Sequence, residues 1–274
     1  MATSTTHDCV RFIALGDSAS CGVGDPTPDG WRGWAQILAD ALDSEDRVFC
    51  KLATPGATVA DVRHHQLPDA LAHRPDMTSL VVGLNDAMRS TWDPDRVRAD
   101  LLHCADELVR QGTLLLTVRF HDHTRVLGLP EVLARPMRRR IQILNDIYEE
   151  VQGRYGGLGL DLAADPLIYD RSLWAFDRLH PSELGHRWLA QQVGILLRAE
   201  GVAVRLPSLT CTSAPSTPRD AVRTLVHHIV PWICRRARDL GPAVIAAAGR
   251  HTRDALLTRP LETSARLWRP EGGF

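Results

Sequence analysis

Val10 to Leu15 is an apolar run interrupted only by Arg11, and it stops abruptly at Gly16-Asp17-Ser18, with Gly22 and Gly24 close behind. A run this short, bounded by glycine, has the length and β-branched content of a buried strand. A strand that breaks into a glycine-rich turn ahead of a helix presents one side chain at the carboxyl edge of a sheet. In open α/β folds that edge is where ligands bind. Ser18 occupies the place and is read as a candidate nucleophile. The rest of the chain must then supply a base, an acid to orient it, and donors for an oxyanion.

Short apolar runs alternate with longer stretches of helical period. Trp34, Ile37, Leu38, Ala41 and Leu42 recur at helical spacing within Trp31 to Leu42, which predicts an amphipathic helix. Val48 to Leu52 reads as a second strand ending at Ala53-Thr-Pro-Gly56, with a short helix from Val59. Ser79 to Gly83 is a third strand, closed by Leu84-Asn85-Asp86. Asp93-Pro94 opens a helix that Gly112 stops. Thr113 to Val118 is a fourth strand with a polar loop after it, Arg119 to Arg125. Glu131 to Gln152 is a long helix, and Leu158 to Leu162 a fifth strand. Pro181 to Ala199 is the last helix of the body. Five strands alternating with helices predict a three-layer α/β/α fold, its parallel sheet covered on both faces, in the flavodoxin-like order 2-1-3-4-5.

Composition narrows the function classes. The 32 basic and 33 acidic side chains nearly cancel, so the whole chain lacks the charge of a nucleic-acid binder. Residues 219–274 hold ten Arg against five acidic groups, a net of +5, and leave −6 on residues 1–218. Six cysteines are scattered with no C-x-x-C pair, which argues against a zinc or redox motif. The N-terminal residues have neither the basic region nor the apolar segment of a signal peptide, and no run is long enough to span a bilayer. The expectation is a cytoplasmic protein of three parts. Residues 1–205 form the catalytic body, 206–218 a Pro/Ser/Thr-rich linker, and 219–274 a basic amphipathic helical extension. That extension is read first as docked on the acidic body through its apolar face. A membrane surface or a dimer contact is the alternative.

Four features fall at ends of the predicted strands or just before the last helix: Ser18, Gly56, Asn85, and His180 with Asp177 three residues earlier. In a parallel sheet these ends meet at one edge, so residues distant in sequence converge there. At this point the sequence resembles the SGNH hydrolases, also called the GDSL esterase family. Their first block matches Gly16-Asp17-Ser18 with Gly22 and Gly24, and their second matches Gly56 in Ala53-Thr-Pro-Gly-Ala57. The third, G-x-N-D, matches Gly83-Leu-Asn85-Asp86, and the fifth, D-x-x-H, matches Asp177-Arg-Leu-His180. The resemblance covers roughly residues 10–200. It implies a triad of Ser18, His180 and Asp177, and an oxyanion hole formed by the backbone N–H of Ser18, the backbone N–H of Gly56 and the amide of Asn85. The implied reaction is hydrolysis of a small-molecule carboxylic ester with a small or medium acyl group, acetyl esters of sugars or natural products included, through an acyl-serine, with no metal and no cofactor. An acyltransferase or thioesterase using the same triad is the alternative, and a non-catalytic binding protein the second.

Other residues receive blander readings. Asp17 and Asp86 are expected to orient backbone, and Cys21 to be a small buried thiol. His121 and His123 flank Asp122 after the fourth strand, where they could line a pocket, but they are too few to define a metal site. Trp174 and Phe176, with Met88 or Trp92, are candidates for an apolar wall.

Overall fold

A computed structural model describes residues 10–44 and 46–212. The predicted extension, residues 219–274, lies outside the described residues. Strand β1 (Arg11–Gly16) leads into a single-turn helix α1 (Ser18–Cys21), then a two-stranded hairpin β2 (Pro26–Thr27) and β3 (Gly30–Trp31), and helix α2 (Gly33–Ala41). Strand β4 (Val48–Lys51) is followed by helix α3 (Val59–Asp61), a wide turn of π-helix (Val62–Gln66) and helix α4 (Leu67–Ala72). Then come strand β5 (Met77–Val81), helices α5 (Leu84–Ala87) and α6 (Pro94–Arg110), and strand β6 (Leu114–Arg119). Helices α7 (His123–Leu127) and α8 (Glu131–Tyr155), strand β7 (Leu158–Asp161) and helix α9 (Glu183–Ala199) complete the body.

The five long strands form one sheet in the order β4-β1-β5-β6-β7, every pairing parallel. Counted among these strands alone, that is the expected 2-1-3-4-5. Helices α2 and α9 pack together on one face, and α6 with α8 on the other. The hydrophobic pattern explains this sandwich. Phe12, Ile13, Ala14 and Leu15 are all fully buried although neighbouring side chains point to opposite faces, so the central strand needs cover on both sides. Each such large side chain contributes about 2 kcal/mol of hydrophobic stabilisation.

Three local differences from the sequence expectations have physical causes. The loop expected after the fourth strand contains α7, because Asp122 caps it by accepting from Thr124 N–H at 3.1 Å and Gly128 ends it in the left-handed region. The third strand begins two residues earlier than expected, its Met77 and Thr78 paired with β1 and β6. At the other end of the body, residues 206–212 have neither helix nor strand, yet they are tied to α9. Arg187 donates to the Ser208 carbonyl, Gln191 to the Pro207 carbonyl, and Thr212 N–H donates to Glu183 at 2.7 Å. Among the described residues no helix is long and apolar enough to cross a membrane.

Candidate active site

The turn after β1 is built around glycine for steric reasons. At Gly16, φ is +140° and an added Cβ would sit 2.2 Å from the Val81 carbonyl oxygen on the neighbouring strand, so no side chain fits. Asp17 then caps α1, its carboxylate accepting from Ala19 N–H at 3.0 Å. This turns the chain sharply and leaves Ser18 at the head of α1. Gly24 meets a similar constraint from the far end of the sequence: a Cβ there would lie 2.0 Å from the Pro181 carbonyl oxygen. The two ends of the body thus touch beside the candidate nucleophile.

His180 arrives from the loop before α9. Its Nε2 lies 2.9 Å from Ser18 Oγ, and its Nδ1 lies 2.7 Å from Asp177 Oδ2. The loop is fixed independently of these side chains. Asp177 Oδ1 accepts from the backbone N–H groups of Leu179 and His180, and Arg178 between them adopts φ +55°. Ala175 N–H donates to the His180 carbonyl and Ser182 N–H to the Leu173 carbonyl. Burial pushes the Asp177 carboxyl up, but the hydrogen bond and charge of His180, with the two backbone donors, outweigh it and hold the group below the ordinary carboxylate range. An ionised Asp177 accepting from Nδ1–H leaves Nε2 free to accept the Ser18 proton.

The remaining predicted residues come to the same edge. The amide of Asn85 donates to the Ala57 carbonyl at 3.1 Å and to Asp17 Oδ2 at 3.3 Å, joining the turn after β5 to those after β4 and β1. Gly56 sits at φ +82° with open space where a side chain would be. Among the described residues, no protein acceptor takes the N–H of Ser18 or of Gly56, so both are available to an incoming oxygen. Asp86 accepts from Val59 N–H at 3.1 Å. Burial raises both Asp17 and Asp86 to about 6.

Similarity to known proteins decides the family. Residues 14–188 match the model of the GDSL-like lipase/acylhydrolase family. The chain belongs to that family. The hydrolase is 24% identical over 200 residues to an acetylxylan esterase of Geobacillus stearothermophilus, covering 66% of this chain and 90% of the relative. Among solved structures it superposes on Axe2, an acetylxylan esterase of the same organism, with a TM-score of 0.56 at 20% identity over 74% of this chain and 97% of that one. A lipase/acylhydrolase from Enterococcus faecalis gives 0.55 at 20% identity, over 73% and 99%. Membership makes the protein an ester hydrolase of the serine type.

Sequence reasoning missed several residues of the hydrolase. Gln66 accepts from Gly16 N–H at 2.8 Å and donates to the Gly16 carbonyl and to Thr54 Oγ1, so it clamps the turn that carries Ser18 to the one that carries Gly56. Its signal was present: Val62, Gln66 and Ala70 are a buried stripe at helical spacing, and a glutamine within such a stripe needs partners. Asp25 is fully buried and pairs with Arg32, which also reaches Glu183 at 2.9 Å. His186 accepts from Trp34 N–H at Nδ1 and donates from Nε2 to the Val23 carbonyl. Burial is the main reason its pKa falls, to about 4. Of the other expected residues, Trp174 and Met88 are buried while Phe176 is 60% exposed. His121 and His123 face each other at 3.0 Å, and Asp122 turns aside to cap α7.

Proposed function

We propose that the hydrolase cleaves carboxylic esters with small acyl groups, acetyl esters of sugars or natural products among them, through an acyl-Ser18 intermediate. The observation that carries this reading is the unbroken line from Asp177 through His180 to Ser18, with contacts of 2.7 and 2.9 Å. In the first half-reaction Ser18 Oγ attacks the ester carbonyl while His180 Nε2 takes its proton. The carbonyl oxygen becomes an oxyanion between the N–H groups of Ser18 and Gly56 and the amide of Asn85, which turns to it the N–H that otherwise makes the longer, 3.3 Å contact with Asp17. Each such donor lowers the barrier by about 3 kcal/mol. The imidazolium, stabilised by Asp177, then protonates the departing alcohol. Water repeats the sequence on the acyl-serine and releases the acid, with His180 first as base and then as acid.

The alcohol side belongs to the cleft beside Gly56. An open cleft of about 360 Å³ runs beside Gly56, with Thr54, Asp61, His65 and Asp69 on its walls. Hydroxyl and carboxylate groups in a wide cleft suit a polyhydroxylated alcohol such as a sugar. That a similar protein is an acetylxylan esterase supports the same direction.

The test is hydrolysis of p-nitrophenyl acetate and of an acetylated sugar by the wild type and by Ser18→Ala. A loss of about four to six orders of magnitude in kcat for Ser18→Ala is expected. Equal rates for the two proteins would exclude the serine mechanism.

A further inference from the structure

A second, smaller cavity of about 70 Å³ reaches the residues next to the proposed triad, although no triad side chain lines it. Ala19, Leu84, Leu179 and Pro181 line it, and each is the chain neighbour of Ser18, Asn85 or His180. Most of its remaining wall is apolar. The exception is the pair His121 and His123, which also lines it.

Like the hydroxyls of Ser20, Thr78 and Ser79, that pair holds buried polar atoms without a partner among the described residues, and it alone of these lines the cavity. The two side chains are 3% and 2% exposed. His123 Nδ1 and His121 Nε2 bond each other at 3.0 Å. The two outward nitrogens, His121 Nδ1 and His123 Nε2, are buried and have no protein partner. Trp174 packs against both rings, with centroids 5.0 and 5.1 Å away, so they cannot swing out to solvent without disturbing the wall. Leaving two such atoms unpaired costs about 1–3 kcal/mol each, which makes a polar occupant of the cavity the natural explanation.

The chemistry of the pair narrows that occupant. Burial holds both rings below their ordinary pKa, His123 at about 4, so they are neutral at pH 7. A neutral pair shares one N–H across its inner contact. In either tautomer arrangement its outer nitrogens are then one donor and one acceptor. An uncharged hydroxyl can satisfy either one, whereas a carboxylate only accepts and an ammonium only donates. Burial also penalises both ions. As for size, a dry cavity of about 150 Å³ holds a benzene ring, so one half as large takes about three heavy atoms.

Resting on the ester-hydrolase reading above, we propose that this cavity is the acyl pocket. It selects a short acyl chain bearing a hydroxyl, of the 3-hydroxybutyryl type, with His121 and His123 as the residues that read the hydroxyl. The acyl carbonyl would stay at Ser18, with the β-carbon, its hydroxyl and the terminal methyl filling the space below.

The test has two arms. In the Ser18→Ala protein, tryptophan fluorescence is titrated with methyl 3-hydroxybutyrate, both enantiomers, and with methyl butyrate; Trp34, Trp174 and Trp188 line the cavity and report its filling. The expected result is about tenfold tighter binding of one hydroxy ester than of butyrate, the loss of one hydrogen bond. His123→Leu in the same background should bring that ratio to about one, and His121→Asn serves where His123→Leu does not fold. Equal binding of the hydroxy and unsubstituted esters to Ser18→Ala overturns the proposal, with no variant of the pair needed. In the second arm, kcat/KM of the wild type is compared for the p-nitrophenyl esters of the same two acids. A preference of about tenfold for the hydroxy ester is expected, and a ratio of one or below overturns the proposal. If the wild type hydrolyses p-nitrophenyl acetate but neither of these esters, the pocket proposal is overturned and the ester chemistry stands; if it hydrolyses none of the three, the proposed acyl-Ser18 reaction fails while the binding arm still decides what the cavity takes.

Discussion

His180 and His186 stand six positions apart at the head of α9, one in the loop and one on the helix, and they have opposite environments. His180 has a carboxylate on one nitrogen and a hydroxyl on the other, both side-chain groups that can exchange charge or protons with it. His186 has backbone on both sides, accepting from Trp34 N–H and donating to the Val23 carbonyl. Backbone cannot follow a change of protonation, so His186 is locked neutral and serves as a brace between α9 and the loop after α1. The same side chain is reactive or inert according to what its two nitrogens meet. The D-x-x-H spacing marks His180 in the sequence, and nothing comparable marks His186.

Removing each histidine should separate catalysis from stability. On the proposed mechanism, His180→Ala lowers kcat by about four to six orders of magnitude, with a midpoint in urea near that of the wild type. His186→Ala should behave the other way. It strands the buried Trp34 N–H and Val23 carbonyl and costs about 2–4 kcal/mol of stability, while kcat of the folded fraction stays far above that of His180→Ala. Urea melts and steady-state kinetics on both variants check this, and a His180→Ala protein that keeps its activity would remove the contrast.

Asp177→Asn probes what makes His180 different from a braced histidine. An amide at that position can still hold the ring, but it offers a donor where Nδ1–H requires an acceptor, and it cannot stabilise an imidazolium. A fall of about 10⁴ in kcat is expected. Asn85→Ala is smaller, about 10² to 10³ in kcat from the loss of one oxyanion donor. KM should change far less, because the oxyanion exists only in the transition state. A matching rise in KM would assign Asn85 to ground-state binding instead.

The contrast also shows what was legible in the sequence. Strand order followed from alternating apolar runs, because a strand buried on both faces has no polar positions to obscure it; Phe12 to Leu15 is the clearest case. Ser18, Gly56, Asn85, Asp177 and His180 were nameable because each stands beside a glycine or at a fixed short spacing, and the parallel topology brings strand ends together. Gln66 stood out only as a polar residue in an apolar stripe, its partner turn 50 positions away unmarked, and Asp25, Arg32 and His186 did not stand out at all, since they are tied into contacts with backbone groups or side chains up to 163 positions away that no local spacing encodes. The unpaired nitrogens of His121 and His123 belong with these. Sequence placed both at the right edge, but only the packing of Trp174 and the cavity below reveals that they lack partners.

The mildest perturbation is His186→Gln, which is designed to keep the brace and remove only its titration. Glutamine can accept from Trp34 N–H through its carbonyl and donate to the Val23 carbonyl through its amide. In the wild type the folded-state pKa of His186, about 4, lies below the ordinary 6.5. The folded state therefore binds fewer protons than the unfolded chain between those values. The stability contributed by keeping the ring neutral is fully present above pH 6.5 and is lost as pH falls toward 4, by up to about 3 kcal/mol. Asp17 and Asp86, raised to about 6, slope the other way: their buried carboxylates cost stability as pH rises from about 4 to 6. Both are present in the two proteins, so their contribution cancels when urea stabilities are subtracted. The difference between wild type and His186→Gln should thus shift in favour of the variant as pH is lowered from 7.5 to 4.5. A difference that does not change with pH would mean that His186 titrates alike in the folded and unfolded chains, and the distinction drawn between it and His180 would rest on geometry alone.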